Sequence, residues 1–157
     1  HRHLDLGARR LIDAMQISPT DRVLDIGCGS GTVSFAAAFR ATQGEVVAVD
    51  SAARAIQCTQ IGAELNELSN LTIALDDEVA TPDAMSFDVA LANPPYYSNY
   101  RIAELFLAGA HRCLKPGGRV YAVAKSAKWY LKTMPTMFKK VEIVADKQFQ
   151  VVRGIQP

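Results

Sequence analysis

The sequence predicts an α/β fold: a doubly wound, mostly parallel sheet of seven strands with an antiparallel hairpin at its C-terminal end, residues 1–157 forming one domain. Three observations carry this. Short apolar runs bounded by turn residues alternate with helical patterns along almost the whole chain, as in repeated βα units. The first run feeds directly into a glycine-rich turn and then a helical pattern. The last two runs are separated only by Lys147-Gln148-Phe149, which is too short for a crossover and suits a hairpin.

Taken in order, an amphipathic pattern at Ala8–Met15 predicts a leading helix. Arg22–Ile26, Val46–Asp50, Leu71–Leu75 and Phe87–Ala92 are short apolar runs that predict the first four strands. Helices are expected between them at Thr32–Ala41, Ala52–Leu65 and, after the fourth strand, Arg101–Leu114, with the Ser51 hydroxyl capping the second of these. Lys115-Pro116-Gly117-Gly118 then predicts a turn, since proline cannot continue a helix and glycine reaches positive φ, and Arg119–Lys125 follows as the fifth strand. Ala127–Phe138 is expected as a helix, and Val141–Asp146 with Gln150–Ile155 as the closing hairpin.

Composition narrows the function classes. Hydrophobic residues at 49% and charged residues at 21% are the balance of a globular chain, which excludes disordered and fibrous classes. The longest apolar stretch, Val33 to Phe39, is interrupted by Ser34 and falls far short of the ~20 residues needed to span a bilayer. The chain opens on His1 with no charged-then-apolar leader, so a trimmed start or an excised domain in the cytoplasm is expected. Cys28, Cys58 and Cys113 are odd in number and never paired as CxxC, which points to a reducing compartment and away from a disulfide framework or a zinc site. Residues 1–100 hold six Lys and Arg against thirteen Asp and Glu, while residues 101–157 hold eleven against three. One acidic and one basic section is the pattern of a protein that meets polyanion on one face only.

The chemistry-bearing motifs lie at the predicted carboxyl ends of strands. Val23-Leu24-Asp25-Ile26-Gly27-Cys28-Gly29-Ser30-Gly31-Thr32 places glycines where backbone can pass close beneath a ligand. Thr32 stands where a dinucleotide-binding turn wants a third small residue, so a nicotinamide oxidoreductase is disfavoured. Asp25, two places before Gly27, suits a zwitterionic amino-acid moiety better than a diphosphate. Asp50, at the end of the second strand, can accept both hydroxyls of a ribose, and Asp76 and Asp77 bring more acid toward the same crevice. Asn93-Pro94-Pro95-Tyr96 follows the fourth strand. Two prolines fix φ and stiffen this loop, so the Asn93 side-chain oxygen and the Pro94 carbonyl become preorganised acceptors for one NH2 group, with Tyr96 as a stacking face.

With these residues in view, the chain resembles the class I S-adenosylmethionine-dependent methyltransferases with a Rossmann-like fold, and among them the NPPY-type amino methyltransferases. VLDIGCGSGT resembles that family's cofactor loop, VVAVD its ribose strand, NPPY its catalytic loop and LKPGGRVYAVA the start of its fifth strand. HLDLGARRLIDAM and MPTMFKKVEIVADKQFQVVRG are similar to the ends of the small-subunit ribosomal RNA guanine-N2 methyltransferases. The resemblance implies S-adenosylmethionine as cofactor. It assigns Asp25, Gly27 and Gly29 to the methionine end, Asp50 to the ribose and Asp76 or Asp77 to the adenine, with Cys28, Ser51 and Asn93 also binding the cofactor, and Asn93, Pro94, Pro95 and Tyr96 to catalysis. Direct transfer of a methyl group to an exocyclic amine is expected, with neither Cys28 nor Cys58 as a nucleophile and with His111 a helix-surface or packing residue. Ribosomal RNA is the expected partner, its target base received by Tyr96, Tyr97 and Tyr100 and its phosphates by Lys125, Lys128, Lys132, Lys139 and Lys140. No membrane and no metal are expected. Tyr96-Tyr97-Ser98-Asn99-Tyr100 stands where this family commonly has Phe followed by His and Gly, so adenine N6 of RNA or DNA and a protein glutamine remain alternative acceptors. A non-catalytic RNA-binding module is the remaining alternative class.

Overall fold

The computed structural model describes residues 5–80, 82–96 and 99–157. Among these residues, seven strands form one sheet in the order β3-β2-β1-β4-β5-β7-β6. These are β1 (Arg22–Ile26), β2 (Glu45–Asp50), β3 (Leu71–Leu75), β4 (Phe87–Ala92), β5 (Leu114–Ala124), β6 (Lys139–Asp146) and β7 (Gln150–Ile155). The first five neighbours pair in parallel, and β7 pairs antiparallel with both β5 and β6. The chain winds outward from β1 to β3 and then returns to place β4 on the other side of β1. That reversal opens a crevice beyond the carboxyl ends of β1 and β4, where open α/β sheets bind ligands.

Among the described residues, five helices cover the sheet: α1 (Leu6–Ala14), α2 (Thr32–Arg40), α3 (Ala53–Leu65), α4 (Arg101–Cys113) and α5 (Lys128–Thr133). Alternation along the strands divides the core in two. Val23, Val89, Leu91, Tyr121 and Val151 face Leu11 of α1 and Val33 and Ala37 of α2. Leu24, Ile26, Ala90, Val120 and Val152 face Ala103, Leu107 and Ala110 of α4 and Tyr130 of α5. Central strands are buried on both faces, so they read as unbroken apolar runs, whereas the outermost strands β3 and β6 alternate with exposed positions.

Three sequence expectations are corrected. Lys115-Pro116-Gly117-Gly118 is not a turn ahead of the fifth strand but a bulge inside it: Leu114 already pairs with Phe87, and Gly117 takes φ +80°. Gly117 N donates to Gln156 O at 2.9 Å and Gln156 N to Gly118 O at 2.7 Å, so the ladder continues past the irregularity. The helix expected over Ala127–Phe138 ends at Thr133 and tightens into a 3-10 turn, Met134–Thr136, because Pro135 has no N–H to continue the i to i−4 ladder. Ser51 does not cap α3. Asp50 Oδ1 instead accepts from Ala52 N at 2.9 Å, and the cap residue Ala52 has no side chain able to bond.

Among the described residues no helix is long and apolar enough to cross a membrane. Leu11 is fully buried and is the centre of the face by which α1 docks on the sheet. Leu11→Ala is expected to lower unfolding free energy by about 2–5 kcal/mol with an unchanged urea m-value, because the sheet behind it cannot collapse into the void.

Candidate active site

Strand β1 delivers the glycine-rich turn to the crevice, and the turn folds over the end of β2. Gly27 N and Cys28 N both donate to Val49 O, at 2.8 and 3.0 Å, and Gly29 N donates to Asp50 Oδ2 at 2.9 Å. Gly27, Gly29 and Gly31 all take positive φ, which only glycine does without strain. At Gly27 a Cβ would also lie 2.7 Å from the Phe106 ring of α4. Gly29 meets nothing within 4 Å in that direction, so its flank is open.

A cleft of about 490 Å3 lies beside this turn. Gly27, Asp50, Ser51, Asp76, Asp77 and Asn93 line its polar side, and Ile102, Leu105 and Phe106 of α4 supply an apolar wall. Each Asp50 oxygen accepts one backbone N–H and keeps acceptor capacity for a ligand. Asp76 Oδ1 also orders its own loop, accepting from Glu78 N and Ala80 N at 3.1 Å each. Three carboxylates on one small cleft favour a cationic, hydroxyl-rich ligand.

Asp25 and Cys28 do not line this cleft; they stand behind it. Alternation turns Asp25 toward α2, where it is 3% exposed and accepts from Ser34 Oγ at 2.5 Å. Burial pushes its carboxyl up to about 6, opposed by the Ser34 bond and reinforced by the Asp50 charge. The Cys28 thiol packs against Thr59 Oγ1 at 3.5 Å, and burial together with the Asp25 charge raises its pKa to about 12, so it has no nucleophilic character.

The Asn93-Pro94-Pro95-Tyr96 loop divides two cavities. Asn93 and Pro95 line the acidic cleft, while Pro94, Pro95 and Tyr96 line a second pocket of about 210 Å3 with Tyr100, Lys125, Ser126 and Tyr130. Pro95 is common to both. The second pocket is aromatic and basic: Tyr100 stacks on Trp129 at 4.6 Å and 8°, Tyr130 meets Tyr100 edge-on, and Lys125 Nζ lies 5.1 Å above the Tyr96 ring. Burial, with a contribution from the Asp5 charge, raises the Tyr96 phenol to about 12, so it remains a donor, and it gives a 3.4 Å hydrogen bond to Asn93 Oδ1.

Tyr97 lies outside the described residues. Trp129, Tyr130 and the α4 wall were not singled out in the sequence, because their spacing is that of ordinary core-facing helix positions. Asp5 was also missed: it caps α1 through Gly7 N and Ala8 N and accepts from Asn93 Nδ2 at 2.9 Å across 88 residues. Only its place ahead of a helix could have drawn notice. His111 bonds Gln156 and meets Phe138 edge-on, a packing role as expected. Among the described residues no group of His, Cys, Asp and Glu is arranged to hold a metal.

Residues 1–153 match the methyltransferase small domain. The chain belongs to this methyltransferase family. It is 30% identical to the ribosomal RNA large subunit methyltransferase G of Streptomyces avermitilis, over 98% of this chain and 42% of that protein, and 32% identical to the same-named protein of Magnetococcus marinus, over 98% and 43%. The chain therefore spans less than half the length of the curated relatives it matches. A Thermus thermophilus 16S rRNA N2 methyltransferase, solved with AdoMet and guanosine, superposes with a TM-score of 0.88 at 24% identity, covering 99% of this chain and 44% of that one. The fold is thus the Rossmann-like methyltransferase fold that the sequence predicts.

Asp25 generates a pH prediction. Its raised carboxyl holds a proton in the folded state between pH 3.8 and about 6, where the unfolded chain has released it. Its contribution to stability is therefore full below pH 3.8 and lost as pH rises through 6. Asp25→Asn keeps an acceptor for Ser34 and removes the titration. Relative to the parent, the variant should gain about 2–3 kcal/mol between pH 4 and pH 7 in urea unfolding.

Proposed function

We propose that this chain is a single S-adenosylmethionine-dependent N-methyltransferase domain acting on an exocyclic amine of a base in RNA, guanine N2 of ribosomal RNA. The observation that carries the reading is the pair of cavities meeting at Pro95, acidic and hydroxyl-accepting on one side, aromatic and basic on the other. The two relatives and the solved neighbour described above, all named as ribosomal RNA methyltransferases, support it.

The cleft fits the cofactor class. Asp50 has acceptor capacity for ribose hydroxyls with Ser51 beside it, Asp76 and Asp77 offer acceptors for an adenine amine, and Ile102, Leu105 and Phe106 suit the faces of a purine. Gly27 borders the cleft where the amino-acid end would lie, the Gly29 backbone continues the turn beside it, and Asp25 and Cys28 stand behind, Asp25 adding negative charge. When bound, S-adenosylmethionine supplies an electrophilic methyl group on a cationic sulfur.

The loop residues do the rest. Asn93 Oδ1 and the Pro94 carbonyl hold the two hydrogens of the target amine, which raises electron density on a nitrogen whose lone pair is otherwise delocalised. Pro94 and Pro95 keep those acceptors from turning away. Tyr96 and Tyr100 provide faces for an unstacked base, and Lys125 offers a donor to a base carbonyl or a phosphate. Nitrogen gains the methyl and then releases one proton to solvent. No general base is required, and rate comes chiefly from alignment, a term able to supply ~7–11 kcal/mol.

Incubating the chain with labelled S-adenosylmethionine and RNA, DNA and protein fractions, followed by nucleoside analysis, tests the reading: label is expected in N2-methylguanine of ribosomal RNA. Label confined to glutamine or to N6-methyladenine would replace it with one of the alternative acceptors. Asn93→Ala should lower kcat by about 100-fold or more while calorimetric cofactor affinity stays within a few fold. Asp50→Ala should do the reverse, weakening cofactor binding by about tenfold or more, the scale of a lost charged hydrogen-bond acceptor.

A further inference from the structure

We propose that Asp5 is the positioning residue of the reaction, its carboxylate setting the Asn93 amide so that the oxygen, not the nitrogen, is offered to the substrate amine. The proposal rests on the reading of Asn93 above. A primary amide presents an acceptor at one end and donors at the other, and a half-turn about its last bond exchanges them. An Asn93 turned the wrong way would present N–H groups to an N–H donor and repel it. Asp5 removes that choice, because an ionised carboxylate accepts only: with Oδ2 2.9 Å from Asn93 Nδ2, the amide nitrogen is committed to Asp5. Withdrawing density through Nδ2 also strengthens Oδ1 as an acceptor.

Asp5 is itself held. Its Oδ1 accepts from Gly7 N at 2.9 Å and Ala8 N at 3.3 Å, so one oxygen caps α1 and the other orients Asn93. The position beside it is kept clear. A Cβ on Gly7 would lie 2.5 Å from the Tyr96 hydroxyl and 3.0 Å from Asn93 Oδ1, on the very atom that must receive the substrate. Gly7 has ordinary helical φ, so conformation does not demand glycine there; the space beside Asn93 does.

The test separates capping from positioning. Asp5→Ser and Asp5→Asn both retain a capping oxygen but lose the charged acceptor. With labelled S-adenosylmethionine and transcripts of small- and large-subunit ribosomal RNA, both variants should lose about 10–100-fold in kcat, the scale found for outer-sphere orienting partners, while cofactor Kd and Tm hold. Gly7→Ala should lose kcat, because the added methyl crowds the Tyr96 hydroxyl and Asn93 Oδ1, while cofactor Kd holds. Independently of turnover, the Asn93 side-chain NH2 resonances, assigned by their loss in Asn93→Ala, should shift in both Asp5 variants. Unchanged kcat and unchanged resonances in Asp5→Asn, with Asn93→Ala inactive, overturn the role of Asp5 and leave the function standing. Full turnover in Asn93→Ala removes the reading of Asn93 and this proposal with it.

Discussion

The hydrogen bond from Gly29 N to Asp50 Oδ2 ties the turn after β1 to the end of β2, and the site is organised around that tie. Left unbonded, the N–H groups of a turn over a sheet edge would be costly to bury and free to move. Here Gly27 and Cys28 give theirs to Val49 O, Gly29 gives its own to Asp50, and Gly31 N bonds back to Cys28 O at 2.9 Å. Positive φ at all three glycines is the conformational condition for this arrangement. The same Asp50 that pins the turn also starts α3 through Ala52 N, so one carboxylate sets the floor of the cleft and one of its sides.

Charge is distributed in space as well as along the chain. Acidic groups from the ends of β2 and β3 gather around the cleft, whereas Lys125, at the end of β5, borders the aromatic pocket. A cationic ligand and a polyanionic one can therefore occupy adjacent places without competing for the same field. Little acid or base chemistry is built into the centre: Cys28 and Tyr96 are held protonated. What the residues offer is orientation, and that orientation reaches back to the first helix through Asp5.

The parallel strands were legible because central strands are buried on both faces and cannot hide their apolar runs, whereas their order across the sheet emerges only from the pairing. The cleft was legible because Gly27, Asp50 and Asn93 are local signals, each at a strand end and each with a chemical reason to be there. Errors arose where long-range pairing overrode local propensity: Gly117 bulges a strand instead of turning the chain ahead of it, held by Gln156 39 residues further on. Asp25 and Cys28 belong to the right loop, yet alternation along β1 sends the Asp25 side chain into the layer under α2, a direction that composition cannot reveal. The bond between Asp5 and Asn93 had no signature in sequence, since its partners lie 88 residues apart.

Pro95 borders both chambers, so the short segment from Asn93 to Tyr96 sets how they abut. Insertions between Ala92 and Tyr96 would move the chambers apart, and deletions would merge them. The Asn93–Tyr96 segment is thus a stiff spacer between an acidic chamber and an aromatic one.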